Sequence, residues 1–161
     1  MVERGYRWIY RGETDKAIAT FDMTIQHYPQ SLLAHLGRAD ALVEARKDRD
    51  AVELYSRAMS LLEQTKPKSE AGTPGETQVI GERFFSYQNQ GLKFPHGLEA
   101  YMYLRRGGAF ERLATRDFGL DRDYVSKAIS DYDKAIELAP KYEEAKEQRN
   151  RLFARSNRLA N

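Results

Sequence analysis

The three histidines of the chain are its only imidazole groups, and their spacing decides whether the sequence contains a metal or acid–base site. They are His27, His35 and His96. None has a second histidine three or four residues away, as the paired histidines of zinc motifs require. The chain has no cysteine, which excludes thiolate metal sites, disulfides and cysteine nucleophiles. We therefore expect no metal and no cofactor.

Paired carboxylates could do acid–base chemistry, and a glycine-rich loop could hold a phosphate. Asp131 with Asp133, and Glu143 with Glu144, lie on amphipathic stretches, where a solvated helix face is the usual interpretation. The stretch GTPGE lacks the Lys-Ser/Thr ending of a phosphate loop. We therefore predict no catalytic residues, and we expect that the protein is not an enzyme.

Charge gives a second indication of what the chain binds. Arg149, Arg151, Arg155 and Arg158 could contact an acidic partner or RNA, although cations here more often complement the negative end of a helix dipole. The 161 residues include 26 Lys plus Arg and 24 Asp plus Glu, which gives no electrostatic reason to expect nucleic acid or a membrane as the main partner. Because no apolar run suggests a membrane span or a signal peptide, a cytoplasmic location is the default expectation.

The elements that carry these residues recur along the chain. At a shift of 34 residues the matched pairs are Gly5/Ala39, Trp8/Leu42, Ala17/Ala51, Phe21/Tyr55 and Ile25/Met59. Two further periods bring the register to Gly107 and Phe110, and nine added residues then bring it to Ala128 and Tyr132. A repeat of this length indicates stacked supersecondary units, each too small to bury its apolar face alone.

Apolar residues at spacings of three and four predict that each unit is a pair of helices. The predicted helices cover about 1–11, 14–28, 32–45, 48–64, 98–115, 123–138 and 141–157. Thr14 or Asp15 is expected to cap the second helix and Asp48 the fourth. Pro29 and Pro140 are expected to end helices, because proline has no amide hydrogen and restricts the residue before it.

This pattern resembles the tetratricopeptide repeat (TPR), a helix-turn-helix unit with a small residue followed by a large one and an alanine followed by an aromatic. The resemblance implies an all-α fold, a helix-turn-helix solenoid wound as a right-handed superhelix, with residues 1–161 forming one domain. The implied parts are repeats at about 1–31, 32–65 and 98–140, an insert or degraded repeat at 66–97 and a capping helix at 141–157.

Proteins of the TPR family mostly act as adaptors that hold a partner peptide or helix in a concave groove lined by the first helix of each repeat. The corresponding positions here are Val2, Tyr6, Ile9, Tyr10, Leu33, Leu36, Asp40, Val43, Tyr101, Leu104, Arg105 and Glu111. They are unusually apolar and aromatic, and tyrosines suit recognition. We therefore predict a protein or peptide partner in this groove.

Three alternatives stay open from the sequence. A helix at 77–90 within the insert could fill the groove, which would make the groove residues core. The end face from Met1 to Tyr10 could stack on another copy, giving a self-associating scaffold and a homo-oligomer. The insert could instead carry a ligand or enzyme site that uses Arg83, Tyr87 or His96.

One variant within the TPR family clamps C-terminal carboxylates with lysine, asparagine and arginine side chains. The corresponding positions in this sequence include Val2, Tyr6, Gly37 and Arg105, and only the arginine agrees. This mismatch argues against the C-terminal tails of chaperones as ligands.

Overall fold

The computed structural model describes residues 1–65, 94–115 and 120–158. This part of the chain is all-α, as predicted, and contains no strand. Its helices are α1 Val2–Tyr10, α2 Thr14–His27, α3 Leu32–Glu44, α4 Asp48–Thr65, α5 Leu98–Ala114, α6 Arg122–Leu138 and α7 Glu143–Arg158. The ends agree with the predicted bounds to about two residues. The loop and helix predicted between residues 66 and 93 lie outside the described residues.

The helix ends follow the local sequence in most places. Ser31 caps α3 by accepting a hydrogen bond from the Ala34 amide at 3.4 Å, and Asp121 caps α6 by accepting from the amides of Asp123 and Tyr124. The turn after α2 contains Pro29, whose ring cannot continue the helix. The short polar side chains before α3 and α6 therefore satisfy amides that have no partner within the helix.

Two predicted caps were wrong, because the predicted residues lie inside the first turns of α2 and α4 and not before them. The first helical hydrogen bond of α2 runs from the Ala17 amide to the Glu13 carbonyl, so Glu13 occupies the capping position and makes no side-chain cap bond. Thr14 and Asp15 therefore lie within the first turn. Asp48 is likewise the first residue of α4, and its carboxylate accepts from Arg112 of α5.

The turns within the first two repeats have the same geometry. Gly12 has φ of 73° and Arg46 has φ of 60°, and the two positions are one repeat apart. In each turn, three amides donate back to carbonyls in the last turn of the preceding helix. The structural repeat therefore persists at Arg46, although a left-handed backbone suits glycine better than arginine.

Small residues at repeat positions make room for buried aromatic rings. The Phe21 ring is fully buried, and a Cβ atom added at either Gly5 or Gly37 would overlap it. At the equivalent place in the third repeat, a Cβ atom at Gly107 would lie 2.9 Å from the Tyr132 ring. The glycines thus let the first helices approach these rings closely, as the repeat pattern predicted for Gly5 and Gly107 but not for Gly37, whose repeat equivalents are Glu3 and Arg105.

The core runs through the whole array as three adjoining clusters of buried side chains. The first joins α1, α2 and α3, the second joins α3, α4 and α5, and the third joins α5, α6 and α7. Each helix packs against its neighbours in sequence, and α1, α3, α5 and α7 also contact one another in that order. The first helices therefore form one side of the array, which we call the inner face.

Candidate functional site

The centre of the inner face is the carboxylate of Asp40 in α3, which is only 3% exposed. Three tyrosine hydroxyls donate to it: Tyr55 to Oδ1 at 2.6 Å, and Tyr6 and Tyr101 to Oδ2 at 3.1 Å each. Arg105 forms an ion pair with it, with Nε 3.4 Å from Oδ1. These five residues, which we call the Asp40 cluster, come from α1, α3, α4 and α5, so one buried carboxylate connects four helices.

Burial dominates the electrostatics of the Asp40 cluster. Burial raises the pKa of Asp40, while Arg105 and the three tyrosine hydroxyls oppose part of this rise because they stabilise the charged form. Burial and then the charge of Asp40 raise the pKa values of Tyr6, Tyr55 and Tyr101. All three phenols therefore stay protonated as donors over the physiological pH range.

The inner face continues from the Asp40 cluster towards solvent through Arg105. The Arg105 guanidinium donates to Glu44 Oε1 at 3.2 Å, and the Glu44 side chain is 49% exposed. Tyr142, just before α7, lies within the electrostatic influence of both Glu144 and Arg105. Burial and then the charge of Glu144 raise the pKa of Tyr142 to about 12.

A second polar group lies between α5, α6 and α7. The Tyr132 hydroxyl lies 2.7 Å from Glu111 Oε2 and 3.0 Å from Gln148 Oε1. Arg151 donates to the other oxygen of Glu111 at 3.2 Å. We call Glu111, Tyr132, Gln148 and Arg151 the Glu111 cluster. Glu144, Gln148 and Arg151 are spaced by four and three residues, so they share the side of α7 that faces α5.

The structure brings together four of the predicted groove residues, Tyr6, Asp40, Tyr101 and Arg105. Four others are almost completely buried in the hydrophobic clusters and expose little surface to a ligand: Leu33, Leu36, Val43 and Leu104. Ile9 and Val2 are half-buried, and Tyr10 is 87% exposed. Most of the predicted groove residues therefore lie beneath the surface, and fewer of them are exposed to a ligand than the sequence suggested. Whether any of these residues binds a ligand stays a prediction.

Sequence reasoning missed Tyr55, Glu44 and Tyr142 as parts of the inner face. Tyr55 occupies a second-helix position that the pattern assigns to the core, and nothing in the pattern indicates that its hydroxyl reaches Asp40. Glu44 follows Asp40 by four residues on the same helix, so the spacing alone predicts that it lies on the same face.

The other candidates for chemistry are engaged in structural contacts. Nε2 of His35 lies 2.9 Å from the Pro29 carbonyl oxygen, and His96 stacks on Tyr142 with ring centres 4.2 Å apart. Arg149 pairs with Asp133. Within residues 1–65, 94–115 and 120–158, no group of three metal-ligating side chains occurs, and none of the helices could cross a membrane. Arg83 and Tyr87 lie outside the described residues.

The outer side of α1 differs from the inner face in charge. A depression of about 340 Å³ there is lined by Met1, Glu3, Arg4, Arg7, Trp8 and Arg11. Arg11 and Lys16 both lie over the Trp8 ring, at 5.6 and 4.8 Å from its centre. Stacking this basic side on another copy of itself would bring like charges together, which weakens the case for self-association through α1.

Known proteins match this chain in fold rather than in sequence. The sequence matches no protein-family model and no curated protein. The first TPR domain of the human RPAP3 protein has a TM-score of 0.62 and 20% identity, with 95% of this chain and 87% of that chain covered. The first TPR of Spaghetti (RPAP3), solved bound to the HSP90 peptide SRMEEVD, has a TM-score of 0.62 and 21% identity, with 99% and 90% covered. The chain therefore has the TPR fold.

Proposed function

We propose that this protein is a protein-interaction module that holds a peptide segment or helix of a partner on its inner face. The observation that carries the proposal is the Asp40 cluster, which fixes the first helices of all three repeats against one another. A surface held in one geometry loses little entropy when a ligand binds. The TPR domain of Spaghetti, which has the same fold, was solved with a peptide bound.

Exposed groups around this fixed centre supply the contacts. Tyr10 follows Tyr6 by one helical turn and is 87% exposed, so its ring is free to cover a ligand. Glu44 and Arg105 present charged atoms beside Tyr101. An aromatic side chain beside a few fixed polar groups is the usual composition of a peptide-binding surface.

The buried groove residues support the inner face rather than forming its surface. Leu36 and Leu104 are 0% and 3% exposed, so they determine how closely the first helices approach rather than touching a ligand. Tyr6 and Tyr101 both donate to the buried Asp40. Substituting them would disturb the fold together with any binding, so they are unsuitable for a test of binding alone.

A test therefore uses exposed residues. A display library of short random peptides is selected on the wild-type protein, and affinities of the selected peptides are measured by fluorescence anisotropy. The double variant Tyr10→Ala/Glu44→Ala should lower affinity about tenfold or more, because an aromatic anchor is lost. The control Tyr28→Ala/Glu53→Ala removes the same side-chain types from a 63% exposed position beyond α2 and an exposed position on α4. It should leave affinity unchanged.

Failure to select any peptide would contradict the proposal. Equal effects of the two double variants would contradict it as well, because the peptides would then bind away from the inner face. Circular dichroism of both variants checks that their helices remain folded.

A further inference from the structure

The inner face between α3 and α7 carries more carboxylates than cations. The groups whose contacts place them there are the carboxylates of Asp40, Glu44, Asp48, Glu111 and Glu144 and the guanidinium groups of Arg105, Arg112 and Arg151. The chain as a whole has a formal net charge of +2, so this excess of negative charge is local.

The three arginines are already held by the protein's own carboxylates, and Arg112 pairs with Asp48 at 2.8 Å. Arg105 lies between Asp40 and Glu44, at 3.4 and 3.2 Å, and its side chain is 30% exposed. Arg151 pairs with Glu111 at 3.2 Å. An anionic ligand would have to displace these partners, and Asp40 has three further hydrogen-bond donors that keep it in place. The charges of the arginines on this face are thus offset by carboxylates of the protein itself.

The carboxylates that reach solvent are those able to meet a ligand. The Glu44 side chain is 49% exposed, and Glu144 on α7 is also exposed. Tyr101, half-buried, donates to Asp40, and its ring centre lies 5.0 Å from that of Phe94. Carboxylates beside aromatic rings suit lysine and arginine side chains, which gain both an ion pair and a cation–π contact.

We propose that the inner face binds a basic segment of a partner protein, with lysine or arginine side chains of that segment placed at Glu44 and Glu144. This inference rests on the proposed function, because it names the class of peptide that the same face accepts. The same carboxylates disfavour acidic C-terminal tails, since a ligand carboxylate would meet Glu44 and a neutralised Arg105.

The experiment begins with peptides selected from the random display library on the full chain. Their average content of lysine and arginine is compared with that of the unselected library. Individual selected peptides are then measured against Glu44→Gln/Glu144→Gln and against a control with the same charge change, Glu53→Gln/Glu137→Gln. Glu53 and Glu137 are exposed on the second helices α4 and α6. The Gln148 amide donates to Glu144 Oε1, and the glutamine at 144 keeps a carbonyl acceptor for it.

We expect selected peptides rich in lysine and arginine, an affinity that falls about three- to tenfold in Glu44→Gln/Glu144→Gln, and little change in the control. Affinity should also fall as salt is raised, because exposed charge pairs are screened.

Two results would overturn the inference, and they differ in what they say of the proposed function. Neutral or acidic peptides that lose affinity in Tyr10→Ala/Glu44→Ala would leave the inner face as a peptide site and contradict only its charge preference. No selected peptide, or peptides insensitive to every inner-face variant, would contradict both.

Discussion

Two carboxylates on first helices are each bonded to the tyrosine of the second helix in the same repeat, yet their surroundings differ. In the second repeat Tyr55 donates to Asp40, and in the third Tyr132, at the equivalent repeat position, bonds to Glu111. Asp40 is 3% exposed and has four partners. The Glu111 side chain is 15% exposed, and its partner Arg151 is 67% exposed.

The difference shows that the tyrosine at one repeat position can belong to two kinds of site, since Asp40 and Glu111 themselves occupy different positions of the repeat. Asp40 lies where α1, α3, α4 and α5 meet, so it is buried and its bonds connect these four helices. Glu111 lies nearer the end of the array, where α7 is the last helix described, and one of its partners is largely in solvent. The Asp40 cluster therefore holds the geometry of the inner face, whereas the Glu111 cluster contributes charge to it.

The two clusters should differ most in the free energy of unfolding that is lost when the carboxylate charge of Asp40 or of Glu111 is removed. Asp40→Asn should lower the free energy of unfolding by about 3 kcal/mol, because three hydroxyl donors and Arg105 lose a buried carboxylate. Glu111→Gln should cost about 1 kcal/mol or less, since its ion pair is exposed to solvent. Urea unfolding followed by circular dichroism measures both. Similar losses for the two variants would show that the clusters do not differ in this way.

A smaller effect compares how tightly the two parts of the array are packed. Gly5→Ala should destabilise the protein by about 2 kcal/mol, because the added Cβ overlaps the fully buried Phe21 ring. At Gly108, beside the Glu111 cluster, the nearest atom to an added Cβ is Nη1 of Arg112 at 3.7 Å, an ordinary contact. Gly108→Ala should therefore stabilise α5 by up to about 1 kcal/mol. The same urea experiment tests both, and the same sign for both variants would contradict the packing described.

The smallest expected effect concerns alkaline pH and is the same for both clusters. Burial raises the pKa values of Tyr55 and Tyr132 above the usual value of 10.0. The unfolded chain therefore releases these protons first, and the free energy of unfolding falls as pH rises above that value. Tyr55→Phe and Tyr132→Phe should each reduce this slope by about 1.4 kcal/mol per pH unit. Urea unfolding at a series of alkaline pH values measures the slope, and a slope unchanged by Tyr55→Phe would count against the buried phenol.

The repeat register carried most of the fold prediction. Helix bounds followed from apolar spacing, and the same register put Tyr6 and Asp40 one repeat apart on neighbouring first helices, where they meet. Tyr101 and Arg105 are one turn apart on α5, so their approach to Asp40 also follows from periodicity.

The repeat pattern could not predict how deeply a side chain is buried or which residue it contacts. Leu36 and Leu104 satisfy the spacing of a groove residue, yet neighbouring helices cover both of them. Asp48 has the residue type and the position that are typical of a helix cap. Its carboxylate instead accepts a hydrogen bond from Arg112, which is 64 residues further along the chain. Periodicity states which side of a helix a residue occupies, whereas these outcomes depend on contacts between helices distant in sequence.

The most direct test of the account maps where a selected peptide binds. The backbone amide resonances of the labelled protein are followed by NMR as the peptide is added. We predict that the largest shifts lie on the first helices, around Tyr10, Glu44 and Arg105. Shifts concentrated on the second helices α2, α4 and α6 would contradict a binding site on the inner face.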